Sequence, residues 1–191
     1  MSERPTDRRT LKTRKALGEA LAELLTEKEL HKVTVQEISD KAGVNRVTFY
    51  NHYLDVYDLY DKIENETLVE LGLLVLRLEE LPEDEFFSHL IGYISDNRSL
   101  FKMIFSPNST GQLRSKLYKL IEGLFMQMQK EKGSKASDKH LGFMSSYRAQ
   151  GCLAVVSRWV QEGFAEPPES VVGIISGLDS NTQRYISDRS T

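Results

Sequence analysis

Cysteine is nearly absent: Cys152 is the only one in 191 residues. A disulfide framework and a four-cysteine zinc site are thereby excluded. Excess positive charge is absent too, with 25 Lys and Arg against 28 Asp and Glu. Bulk charge therefore announces no nucleic-acid binder, and only a local patch can serve one. No apolar run is long enough to span a bilayer. The charged opening from Met1 to Thr10 has no apolar signal segment, so the expected location is cytoplasmic. The four histidines, His31, His52, His89 and His140, are scattered. Glu85 and His89 share a helix face, but two ligands make no metal site. No G-x-S-x-G elbow or phosphate-binding loop occurs. The expectation is a protein without catalytic residues, metal or cofactor. Cys152 lies in an apolar stretch and reads as a buried structural thiol.

Proline is sparse, standing only at positions 5, 82, 107, 167 and 168. Its absence between Pro5 and Pro82 permits long helices. Leu17, Leu21, Leu24 and Leu25 fall on one helical face, which predicts a first helix from about Arg9 to Glu27. Thr34 and Glu37 have the spacing of a capping box, opening a second helix that Gly43 ends. Asn45 can cap a short third helix over Arg46 to Asn51, and Asp55 a fourth reaching about Leu81. Apolar stripes continue through Phe86 to Ile94, Leu100 to Phe105 and Leu113 to Met128. The polar, lysine-rich stretch from Gln129 to Lys139 predicts a loop. Helices over Leu141 to Phe164 and Ser170 to Leu178 complete an all-α chain, since nothing alternates at period two for long.

The stretch Val33 to Leu59 carries the chemistry. Two short helices joined by a glycine turn have the layout of a helix-turn-helix. Its second helix enters the DNA major groove, so its outer face needs hydrogen-bonding groups. Asn45, Arg46, Thr48, Tyr50, Asn51 and His52 supply them, while Val44, Phe49 and Tyr53 supply an inner face. Thr34 can offer its hydroxyl to a phosphate.

This stretch resembles the TetR family of bacterial transcriptional regulators. Their signature runs roughly T-x-x-x-I-A-x-x-A-G-V-S-x-x-T-x-Y-x-H/Y-F. The chain matches it at Thr34, Ile38, Ala42, Gly43, Val44, Thr48 and Tyr50, and conservatively at Tyr53. The leading amphipathic helix, the length and the helical remainder fit as well. The resemblance implies an N-terminal three-helix DNA-binding domain over residues 1–54. A larger helical regulatory and dimerisation domain would occupy residues 55–191. It implies base-edge contacts near Arg46, Val47 and Asn51 and phosphate contacts from Thr34, Thr48 and Tyr50. The implied function is a ligand-responsive repressor that binds a pseudo-palindromic, double-stranded operator as a homodimer. The alternative is a helical co-regulator that keeps the fold but has lost strong DNA binding.

The departures motivate that alternative. Leu54 and Val56 occupy positions where the family commonly has lysine, and Asp55 adds a negative charge. Residues 17 to 60 are acidic by four charges, whereas residues 1 to 16 carry a net +4. Arg8, Arg9 and Lys12 are therefore candidates for a basic arm that reaches DNA.

In the larger half, the family's two tasks are dimerisation and ligand binding. Small and apolar residues on the last two helices, among them Gly151, Val155, Trp159, Val171 and Ile175, are candidates for the dimer interface. Trp159 is similar to the tryptophan of one branch of the family, which includes regulators of dihydroxyacetone kinase operons. Tyr93, Phe101, Phe105, Phe125, Phe143 and Tyr147 are candidates for a pocket that takes a small-molecule effector.

Overall fold

The computed structural model describes residues 5–78, 81–131 and 133–188. Every regular element among them is helical. In chain order they are α1 (Pro5–Glu27), α2 (Val35–Lys41), α3 (Arg46–Tyr50), α4 (Val56–Leu78), α5 (Glu83–Asp96), α6 (Arg98–Phe105), α7 (Gln112–Glu131), α8 (Asp138–Gln161) and α9 (Pro168–Asp188). A single 3-10 turn, Leu30–Lys32, lies between α1 and α2.

Helix ends differ from the sequence reading where local chemistry outweighs the apolar pattern. α1 begins at Pro5 rather than near Arg9. Proline suits a first helical turn because its missing N–H would have had no partner there. α7 runs to Glu131 and α8 begins at Asp138, so the polar loop is shorter than its composition suggests. Ser137 caps α8 by accepting the His140 N–H at 3.3 Å. α9 extends to Asp188, well beyond its apolar stripe.

Two compact units are present, and each has its own interior. The first comprises the described residues up to Val69 together with Asn97–Leu113. The second comprises Glu70–Asp96 together with the described residues from Arg114 onward. This division differs from the functional split expected at residue 54, because packing rather than chain order defines a compact unit.

In the first unit, Leu17, Leu21 and Leu25 of α1 are fully buried beside Ile38, Phe49, Leu59 and Tyr60. Met103 of α6 joins the same core. The chain after α6 is tied to the end of α1 by polar contacts. The Leu25 carbonyl accepts from the Ser106 hydroxyl at 2.7 Å and from the Asn108 side-chain amide at 3.0 Å. Those bonds satisfy a carbonyl that a helix end leaves without an internal partner. Within this unit the buried Glu64 carboxylate accepts the Leu113 N–H at the start of α7, at 3.2 Å.

In the second unit, α9 packs against both α5 and α8. The Arg148 guanidinium of α8 is buried with Asp179 of α9 and lies 3.9 Å from the Phe125 ring centroid of α7. α8 ends in two left-handed residues, Gly163 (φ 73) and Phe164 (φ 64). The Phe164 ring packs edge-on against Trp159 at 4.8 Å, which holds a bulky residue in backbone geometry that normally favours glycine.

Candidate nucleic-acid interface

The second helix of the turn motif is built from its caps inward. Thr34 accepts the Glu37 N–H, and the Glu37 carboxylate accepts the Thr34 N–H at 3.0 Å, which completes the predicted capping box on α2. Gly43, at φ 67, ends α2, and the Val44 N–H returns to the Ser39 carbonyl at 3.0 Å. Asn45 then caps α3 by accepting the Thr48 N–H at 2.7 Å. One side of α3 drives Phe49 into the core, with Tyr53 beside it at 5.7 Å between ring centroids. The other side leaves Arg46, Val47, Tyr50 and Asn51 exposed. The Arg46 guanidinium lies 6.0 Å from the Tyr50 ring centroid. α3 thus presents a polar and apolar mixture outward and anchors itself by one aromatic residue.

The turn from α3 to α4 is held by a lysine and an aspartate. Asp58 accepts the Leu54 N–H at 2.9 Å and pairs with Lys62 at 2.9 Å. Lys62 also donates to the His52 carbonyl at 3.4 Å and lies over the Tyr53 ring. Lys62 and Leu54 together lower the Asp58 pKa, the lysine contributing most. Arg14 of α1 donates to the Tyr53 hydroxyl at 3.3 Å and pairs with Glu66. These links fix the orientation of α3 within its unit.

The structure shows how few cations this surface has to spare, which the sequence did not reveal. Lys28 pairs with Glu37, Lys32 with Glu29, Lys41 with Glu23 and Lys62 with Asp58. Between residues 17 and 69, Arg46 is the one cation without an acidic partner among the described residues. Other polar groups are committed as well. The Thr48 hydroxyl donates to Asn45 at 3.0 Å, and the Thr34 hydroxyl donates to Glu37 at 2.8 Å. The Lys28 contact, followed by the Thr34 contacts, lowers the Glu37 pKa to about 2, so a carboxylate stands at the start of α2. Val56, singled out beside Leu54 as a departure, turns into the core, whereas Leu54 is 81% exposed. Arg8, Arg9 and Lys12 lie exposed on the first turns of α1. From Pro5 onward the expected arm is therefore helix; Met1 to Arg4 lie outside the described residues.

Two family profiles match this chain. One, described as bacterial regulatory proteins of the tetR family, covers residues 18–61. The other, described as a transcriptional regulator C-terminal region, covers residues 83–179, about half of the chain. The chain belongs to the TetR family. An uncharacterised HTH-type transcriptional regulator, YxbF of Bacillus subtilis (strain 168), is 33% identical over 70 residues, which cover 36% of this chain and 18% of that protein. The HTH-type dhaKLM operon transcriptional activator DhaS of Lactococcus lactis (strain IL1403) is 23% identical over 167 residues, 82% of this chain and 83% of that protein. The solved fatty acid degradation regulator FadR of Bacillus halodurans has the same fold at a TM-score of 0.66 and 17% identity. That likeness covers 93% of this chain and 96% of the other.

The candidate residues of this TetR-family chain's larger half are dispersed. Phe101 and Phe105 are buried on α6, an element of the first unit. The other four candidates for the pocket lie in the second unit. Tyr93 donates to Glu70 at 2.7 Å, and burial, reinforced by that carboxylate, raises its pKa. Phe125 is buried beneath Arg148, whereas Phe143 and Tyr147 are exposed. Of the dimer candidates, Trp159, Val171 and Ile175 are buried within the unit. The Trp159 indole donates to the Glu166 carbonyl at 2.8 Å. Gly151 is exposed and Val155 half-buried. The outward face of α8 and α9 instead carries Phe143, Tyr147, Ile174 and Leu178. A groove of about 310 Å³ runs between these helices, lined by Tyr147, Gly151, Val155, Ile175 and Leu178 among others. Helical periodicity names the apolar residues but does not tell the inward stripe from a second, outward one, because both repeat every three or four positions.

Proposed function

We propose that this chain is a ligand-responsive, operator-binding regulator acting in the cytoplasm as a homodimer. One observation carries the DNA-reading part: α3 is anchored by Phe49 and displays Arg46, Val47, Tyr50 and Asn51 outward. A major groove admits one helix and presents donors, acceptors and thymine methyl groups to it. Arg46, unclaimed by any carboxylate among the described residues, is suited to a guanine through a bidentate pair. Thr34, Thr48 and Tyr50 are the phosphate contacts of this reading, with the Thr34 and Thr48 hydroxyls exchanging their bonds to Glu37 and Asn45 for phosphate oxygens.

The exposed apolar face of α8 and α9 supports dimerisation, because a patch bearing Phe143, Tyr147, Ile174 and Leu178 is costly to leave in water. Two copies related by a two-fold axis would read a pseudo-palindrome with half-sites spaced by whole helical turns. A small molecule bound in the larger half then shifts the population toward dimers of another spacing, to the extent that it binds those dimers more tightly. Occupation of a promoter by such a dimer blocks transcription, which makes repression the first reading. The likeness to the Lactococcus activator favours activation as the second.

Fluorescence anisotropy tests the reading, with the full chain on a duplex from upstream of its own gene and on a random duplex of equal length. Tighter binding to the first, falling as salt rises, is the expected result. Negligible binding to both at low salt, together with a stable complex with another protein, would establish the co-regulator instead. The sign of regulation follows from transcription of the bound promoter with and without the protein.

A further inference from the structure

The exposed side of α3 offers Arg46, Tyr50 and Asn51 as polar groups for bases, and some of its other polar groups are already committed. Asn45 and Thr48 use their side chains on each other and on the cap, and Lys62 is held by Asp58 and the His52 carbonyl. In the middle of this side stands Val47, 68% exposed, with its carbonyl held by the Asn51 N–H at 3.0 Å. A β-branched side chain on a helix has one strongly preferred rotamer, so its two methyl groups point in a fixed direction. A scattered surface valine would need no comment. This one sits on the recognition helix between Arg46 and exposed Tyr50, where a base edge would lie. The major groove offers one apolar group, the 5-methyl of a pyrimidine, which thymine carries and cytosine lacks.

We propose that Val47 is a specificity-determining residue that reads the 5-methyl group of a thymine in each half-site. This rests on the operator-binding reading above. The thymine lies in a base pair neighbouring the one whose guanine Arg46 takes. Neighbouring Cα atoms are about 3.8 Å apart and base pairs about 3.4 Å, so the two side chains start within about one base step of each other. Specificity at this position is apolar and insensitive to salt, while the Arg46 contact is polar.

The test begins with repeated selection of the full chain's preferred duplex from a randomised pool. Each thymine of that duplex is then replaced in turn by deoxyuridine, which removes only the methyl group. The expected result is one sensitive position per half-site, with a loss of about fourfold in affinity, the worth of one buried methyl. V47A should bind the thymine and deoxyuridine duplexes equally, and V47T, which keeps one methyl, should fall between. A 5-methylcytosine placed at the sensitive position should recover part of what cytosine loses there, which separates recognition of the methyl from recognition of the thymine O4. Two results overturn the proposal: a wild-type chain indifferent to every replacement, or a V47A chain that keeps the full discrimination. If selection enriches no sequence at all, the operator-binding reading fails and takes this proposal with it.

Discussion

Arg148 and Asp179 form two hydrogen bonds across α8 and α9, at 2.6 Å and 2.5 Å, with both side chains almost wholly removed from water. The third guanidinium nitrogen, Nη1, is buried without a hydrogen-bond partner among the described residues. Removing one charge strands the other, which costs more than the pair contributes. We expect Asp179→Ala to destabilise the chain by about 3–5 kcal/mol in urea unfolding. A double replacement, Arg148→Met with Asp179→Leu, should recover most of that loss. Equal losses for single and double variants would show that the pair stabilises by more than mutual neutralisation.

Acid should weaken the first turn of α2 in a defined range. The folded-state pKa of Glu37 is about 2, below its usual 4.5, because Lys28 and Thr34 contact the carboxylate. A group with a lowered folded pKa contributes stability above its unfolded pKa and loses it as pH falls through the folded one. The contribution is therefore complete above pH 4.5 and declines toward pH 2. Glu37→Gln should flatten the pH dependence of unfolding in that window. An unchanged slope would mean that the contacts with Lys28 and Thr34 persist in the unfolded chain or have no energetic weight.

Arg46→Ala separates reading from attraction. Loss of a bidentate base contact should cost about 1–3 kcal/mol on the preferred duplex and much less on random DNA. Equal losses on both would make Arg46 a phosphate contact.

The cations of α1 should act in the opposite manner. Replacing Arg8, Arg9 and Lys12 together by alanine should lower binding alike on every sequence. It should also flatten the plot of log affinity against log salt by up to about one unit per lost phosphate contact. An unaltered slope would show that these side chains never reach DNA.

Tyr147→Asp tests the outward face of α8. Tyr147 is 69% exposed and lines the groove between α8 and α9, so the fold should tolerate the change. Sedimentation should show a shift from dimer to monomer, with operator affinity falling alongside. A dimer that persists would place the interface elsewhere.

The turn motif was legible in the sequence because its signals are local. Thr34, Glu37, Gly43 and Asn45 act through bonds spanning only a few residues, and each was found in the role its type predicts. The leucine stripe of α1 was equally plain, since one core receives it. The larger half was harder to read. Its aromatic residues share one periodicity, yet Phe125 is buried whereas Phe143 and Tyr147 are exposed.

The sequence by itself determined the all-helical class, the turn motif with its caps, and the family to which the chain belongs. Those follow from hydrogen bonds and apolar spacing within short segments. Only the tertiary structure decided which cations remain for a partner, because Lys28 and Lys41 are claimed by carboxylates that folding brings beside them. It also decided that α6 packs with α1 and that Arg148 is neutralised by Asp179. Each depends on elements distant in sequence meeting in space, and no local pattern encodes which of two apolar faces, or which of several acids, will be met.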